Sequence, residues 1–238
     1  MATSVSSGPV TSSSSPSGRV PSVGILGGTF DPIHHGHLRS AVELRELLGV
    51  SELRLMPSHQ PPLRDDPGAS SELRLAMVEA AIDGEPGLAV ESREMRRSGP
   101  SYSADTLAEL RRECGPSAPL LFIVGSDAFN QLHRWHDWQG IFASAHLVVM
   151  ERPDFPMAPD AEVAQFLARR WADDTEALLA QPGGQALRVQ LCQLAISATD
   201  IRQRIAQGRS VRYLLPEGVR QIINEQGLYR AGKQETQS

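Results

Sequence analysis

The chain has 238 residues, 40% hydrophobic and 21% charged, with a formal net charge of −5. This suits one soluble globular domain or a domain plus an appendage, and the acidic balance argues against a nucleic-acid partner, which leaves a basic footprint. No apolar run approaches the roughly 18 residues of a membrane span, and Cys114 and Cys192 form no C-x-x-C pair, so the chain is expected in a reducing cytoplasm.

In chain order, Met1–Ser22 comes first, rich in serine with Pro9, Pro16, Pro21 and one charge, Arg19. It lacks the apolar stretch of a signal peptide and reads as a disordered tail. From Val23, β-prone runs alternate with amphipathic ones. Strands are predicted at Val23–Gly27, Leu53–Met56, Leu88–Ser92, Leu120–Val124 and Leu147–Met150. Helices are predicted at Gly36–Leu48, Ser71–Ile82, Ala104–Glu113 and Asp127–Leu132. Gly49 is the expected C-cap of the first helix, Ser70 or Ser71 the N-cap of the second and Ser103 that of the third. This rhythm predicts an α/β fold of Rossmann-like type, a doubly wound parallel sheet covered on both faces. Its ligands should bind beyond the C-terminal strand ends.

Beyond Arg152 the pattern changes. Pro153, Pro156 and Pro159 mark a break, and Ala161–Ala180 then reads as one helix. Leu187–Leu194 reads as another strand. Thr199–Gln207 and Glu217–Gln226 read as closing helices, the second between Pro216 and Gly227. Residues 23–230 are expected to form one domain with a C-terminal helical segment at 196–230. Residues 231–238 are read as a flexible tail.

The chemistry concentrates where the first strand meets the first helix, in V-G-I-L-G-G-T-F-D-P-I-H-H-G-H from Val23 to His37. Gly27 and Gly28 do not make a G-x-G-x-x-G, and no acidic residue ends the second strand at Met56, so a redox dinucleotide site is disfavoured. His34 and His37 flank Gly36 at a helix N-terminus, where backbone N–H groups and the helix dipole favour anions. A metal would need a third ligand that the spacing does not supply. Donation to phosphate oxygens in a transition state is the better role.

G-G-T-F-D-P-I-H-H-G-H resembles the signature of the nucleotidyltransferase superfamily with the H-x-G-H motif. I-S-A-T-D-I-R, Ile196 to Arg202, resembles its second signature, about 160 residues downstream. Within that superfamily the chain looks like the bacterial nicotinate-nucleotide adenylyltransferases. S-Y-S-A-D-T-L (Ser101–Leu107), G-S-D-A-F-N-Q-L-H-R-W (Gly125–Trp135), E-R-P (Glu151–Pro153) and the ending from Leu215 to Arg230 carry that likeness, which spans Val23 to Arg230.

The resemblance implies a reaction of ATP with nicotinate mononucleotide to give nicotinate adenine dinucleotide and pyrophosphate, with Mg2+ accompanying ATP. It implies that His34 and His37 meet the ATP phosphates beside the backbone of Gly27, Gly28, Thr29 and Phe30. Ser197, Thr199 and Arg202 should hold the triphosphate from the other side, and Gly125 and Asp127 should meet ribose or adenine. Tyr102 and Ser103, at a helix start, and the face of Trp135 are implied for nicotinate. Arg152 and Arg64 are implied for the mononucleotide phosphate. The chain departs from its relatives at Leu63, where a histidine is usual, at Ser103 and Ala198, where threonine and serine are common, and at His136, where an aromatic is frequent. Two other readings stay open on the residues, a sister enzyme acting on phosphopantetheine or another phosphate acceptor, and a nucleotide sensor without catalysis. Oligomeric state is not specified by the sequence.

Overall fold

The computed structural model describes residues 21–59, 68–97, 99, 101–151, 155–192 and 194–230. Both proposed tails fall almost wholly outside these residues. Ser22 does not, and it is buried, exchanging hydrogen bonds with Ser51 through N–H, carbonyl and hydroxyl groups.

Six parallel strands form one sheet in the order β3-β2-β1-β4-β5-β6. They are β1 (Val23–Gly28), β2 (Glu52–Pro57), β3 (Leu88–Val90), β4 (Leu120–Gly125), β5 (His146–Glu151) and β6 (Ala186–Gln190). The central strands are near-continuous apolar runs because both faces are covered. Leu26, Leu121, Ile123 and Val148 face one core. Val23, Ile25, Phe122, Val124, Leu147 and Val149 face the other.

The first core is closed by α1 (His35–Leu48), which buries Ala41, Leu44 and Leu48, and by α2 (Ser71–Ile82). The second is closed by α3 (Ser103–Cys114), α5 (Gly140–Ser144) and α6 (Ala161–Leu167). Chain order reverses between β1 and β4, so these neighbouring strands open a crevice at their C-terminal ends. Gly28 and Gly125 stand at its two lips.

Several caps match their sequence signals. Gly49 ends α1 at φ 61°, the left-handed geometry that glycine adopts without steric cost. Ser70 caps α2, its Oγ accepting from the Leu73 N–H at 3.3 Å. Two closing helices are present, α8 (Ala198–Ala206) and α9 (Glu217–Glu225), the latter packing on α2 through Val219 and Ile223.

Other boundaries differ. The predicted helix over Ala161–Ala180 is two pieces, α6 and α7 (Thr175–Leu179). Between them Trp171 bridges to Ala186 beside β6, and Asp174 caps α7 by accepting from the Ala177 N–H at 2.8 Å. Sheet pairing and a new cap therefore override an amphipathic pattern that could have run through. The predicted Asp127–Leu132 helix is α4 (Ser126–Phe129) and then a 3-10 turn at Leu132–Arg134. Asn130, between them, bonds the Pro156 carbonyl and the Ala158 N–H with its side chain. The third helix is capped at Tyr102 rather than Ser103, with no side-chain hydrogen bond from the cap.

Candidate active site

The strap after β1 is shaped by what its glycines leave out. A Cβ on Gly28 would lie 2.8 Å from the Phe30 ring, and one on Gly27 would touch Phe122 at 3.4 Å. Phe30 is buried at φ 50° and sets its ring edge-on to His37, with centroids 5.1 Å apart. Thr29 is half-buried, and its carbonyl accepts from Arg74 at 2.8 Å.

His34 occupies the N-cap of α1 and is 4% exposed. Its Nδ1 accepts from the His37 backbone N–H at 3.3 Å. A neutral His34 therefore carries its proton on Nε2, which makes that nitrogen a donor. The two imidazoles stack, with centroids 3.7 Å apart and planes at 18°. Gly36 lies against the His34 ring, since a Cβ there would sit 3.0 Å from the ring carbon and nitrogen. The carbonyl of Ile196 lies 3.5 Å from the same point, so the second signature begins directly beside the first.

Ser197 is the N-cap of α8, and its Oγ accepts from the Asp200 N–H at 3.1 Å. Arg202 donates to the Asp31 carbonyl at 2.7 Å and to Thr199 Oγ1 at 3.4 Å. A guanidinium has five N–H donors, so these bonds leave others for an anion. The N-termini of α1 and α8, two imidazoles and one guanidinium thus converge on one lip of the crevice. The partial positive ends of both helices reinforce the side-chain charge.

On the opposite lip, Gly125 is the N-cap of α4 and Asp127 lies in its first turn. Ser126 between them is buried and donates to the Phe155 carbonyl at 2.5 Å. Along the same side, Trp135 packs edge-on to Phe122, with centroids 6.2 Å apart, and Phe122 in turn lies under Gly27. The Tyr102 and His136 rings meet at 4.4 Å. Ser103 is the first residue of α3, whose opening N–H groups have no intrahelical partner. Arg64 and Arg152 lie outside the described residues.

Three residues near the site were not singled out in the sequence. Asp31 is buried and its carboxylate accepts from the N–H groups of Gly68 and Ala69. Arg74 is 1% exposed, and it ties the Thr29 and His59 carbonyls together at 2.8 and 2.9 Å. Burial holds its pKa below the ordinary arginine value, partly offset by Asp31. A signal for Arg74 existed, because it shares the inward face of α2 with Met77 and Val78. Glu94 is also buried, and burial raises its carboxyl above the usual range against a counteracting bond from Thr106 and the charge of Arg97. Thr106, on the first turn of α3, is in turn bonded by Arg97 at 2.7 Å. Among the described residues no three ligating side chains gather as a metal site.

The sequence model of the cytidylyltransferase-like family matches residues 25–204. A probable nicotinate-nucleotide adenylyltransferase of Marinobacter nauticus is 51% identical over 207 residues, which is 87% of this chain and 96% of the relative. The corresponding protein of Chromohalobacter salexigens is 49% identical, covering 87% and 95%. Among solved structures, the Plasmodium falciparum nicotinic acid mononucleotide adenylyltransferase complexed with NaAD superposes with a TM-score of 0.63 at 16% identity, covering 88% of this chain and 97% of that one. At that identity the likeness speaks for the fold.

Proposed function

The chain belongs to the cytidylyltransferase-like family and, within it, to the nicotinate-nucleotide adenylyltransferases, and from that membership we propose how its residues carry out the reaction. It is an adenylyltransferase of NAD biosynthesis that joins ATP and nicotinate mononucleotide. An oxygen of the mononucleotide phosphate attacks the α-phosphorus of ATP. One P–O bond forms, the bond to the β-phosphate breaks, and pyrophosphate leaves with its electron pair.

The attacking oxygen is already largely ionised at neutral pH, because a phosphate monoester has its second pKa at about 6. No general base is needed. The protein's work is positioning and charge stabilisation. His34 Nε2 and His37 donate to the phosphates as charge moves to the leaving group, while Arg202 and the α8 N-terminus with Ser197 and Thr199 hold the triphosphate from the other side. Gly125 and Asp127 receive the adenosine. Tyr102 and Ser103 present the opening amides of α3 to the nicotinate carboxylate, and Trp135 offers its face to the ring. Arg64 and Arg152 are assigned to the mononucleotide phosphate on their motifs alone.

The observation that carries this reading is the stacked His34–His37 pair at the start of α1, abutting α8 where the strand order reverses. The donor set fits a magnesium ion delivered on the triphosphate better than a resident one, since the described residues near the histidines offer cationic and N–H groups with Asp31 already engaged. When bound, magnesium would screen the phosphate charge. No helix among the described residues is long and apolar enough to cross a membrane. We place the enzyme in the cytoplasm, in keeping with the two free cysteines.

The test is pyrophosphate release from ATP on addition of nicotinate mononucleotide, with phosphopantetheine and the amide mononucleotide as parallel acceptors. The expected product carries the adenylyl group on the nicotinate nucleotide. Faster turnover of phosphopantetheine, or none with any acceptor, would overturn the reading.

A further inference from the structure

Asp31 is the point at which distant parts of the chain meet. Its Oδ1 accepts from the Tyr229 hydroxyl at 2.6 Å and the Ala69 N–H at 3.1 Å, and its Oδ2 from the Gly68 N–H at 2.8 Å. The Arg202 guanidinium lies 3.7 Å from Oδ2 and donates to the Asp31 carbonyl at 2.7 Å. Tyr229 reaches this carboxylate from 198 residues away, on the turn that follows α9.

The backbone marks the same place. Among the described residues, Phe30, Asp137 and Tyr229 are the non-glycine residues with positive φ, at 50°, 45° and 60°. Phe30 adjoins Asp31 and Tyr229 bonds it. Such conformations persist where the surroundings over-determine them, and they gather at functional sites. The Tyr229 ring also covers Gly68, where a Cβ would lie 3.0 Å away. Burial, and then the adjacent carboxylate, raise the phenol pKa further above its ordinary value, so the hydroxyl stays a donor.

We propose that Tyr229 is a positioning residue for adenylyl transfer, whose hydroxyl fixes Asp31 and thereby sets the spacing between the His34–His37 pair and Arg202. Asp31 precedes His34 by three residues, with Pro32 and the fully buried Ile33 between them. Its carbonyl and carboxylate meet the one guanidinium of the second signature. Asp31 is joined to the histidine half through three residues of chain and to Arg202 through its carbonyl and an ion pair, so its displacement is transmitted to both. Arg74 restrains the other side of the strap at Thr29. Displacements of about 1 Å can cost roughly 10²-fold in rate. This inference rests on the adenylyltransferase reading.

The test is Tyr229→Phe, which keeps the ring and removes the hydroxyl, beside Leu228→Ala, which loosens the same turn without touching Asp31. Leu228 is partly buried against the first core. Both are assayed well below their melting temperatures, with active sites counted by ATP-binding stoichiometry. Tyr229→Phe should lower kcat by about tenfold or more with the KM for nicotinate mononucleotide within about threefold, the pattern of a lost transition-state contribution. Leu228→Ala should melt earlier and keep its kcat. Equal kcat in Tyr229→Phe and the wild type, or equal losses in the two variants, overturns the proposal. Should Tyr229→Phe not fold, Asp31→Asn is assayed in its place, and wild-type kcat there is equally fatal. A wild type inactive on ATP and nicotinate mononucleotide would defeat the adenylyltransferase reading and this inference with it, whereas an active wild type beside an unimpaired variant defeats this inference alone.

Discussion

His34 has two jobs that one pair of substitutions can separate. Its Nδ1 caps α1 by accepting from the His37 N–H, and its Nε2 is the donor assigned to phosphate. His34→Ala removes both. Loss of the cap costs about 1 kcal/mol of stability, within a range of 0.5–2. The vacated ring, 4% exposed in the wild type, adds a cavity cost of similar order, for a total of about 2–3 kcal/mol. Loss of the Nε2 donor should lower kcat by roughly 10² to 10³. His34→Asn restores a cap oxygen at the same position and should recover about 1 kcal/mol of stability. It offers no donor where Nε2 stood, so turnover should stay low. Urea unfolding and steady-state pyrophosphate release on the three proteins read the two properties independently. If turnover in His34→Asn climbs back with stability, the ring is only a cap and the catalytic assignment is wrong.

Gly28→Ala should force the Phe30 ring away from a Cβ at 2.8 Å, and through it His37. We expect a loss of about 1–3 kcal/mol together with reduced kcat; a variant as stable and active as the wild type would show that the strap is slack. Trp135→Ala should chiefly raise the KM for nicotinate mononucleotide, with a stability loss from its contact with Phe122, and equal effects on both substrates would contradict the assignment. Stability should also depend on His146, which is fully buried, donates from Nε2 to the Gln181 carbonyl at 2.8 Å and accepts at Nδ1 from the Gln185 N–H. Burial lowers its pKa from 6.5, with a smaller push down from Arg111. The unfolded chain then binds the proton more readily, so this contribution is full above pH 6.5 and falls away as pH drops below it, by at most about 1.4 kcal/mol per unit. Urea unfolding across that window should show the slope in the wild type and a shallower one in His146→Gln; identical slopes would remove His146 from the account.

Local pattern in the sequence was enough to place the strands, most helices and the two signatures, because periodicity and cap chemistry act over a few residues. Apolar runs such as Leu120–Val124 had to be buried on both faces, and the helix at Gly36–Leu48 had to end at Gly49. What folding alone decided is which distant groups share a bond. Nothing near Ala161–Ala180 announces that Trp171 will pair beside β6, although Asp174 was a local cap signal for the second piece. Nothing near Asp31 announces Gly68, Arg202 or Tyr229, and a histidine in a signature does not declare that one of its nitrogens caps a helix. Residue types and spacings state what chemistry is available, whereas the hydrogen-bond partners of a buried polar group are chosen by the packing of the whole chain around it.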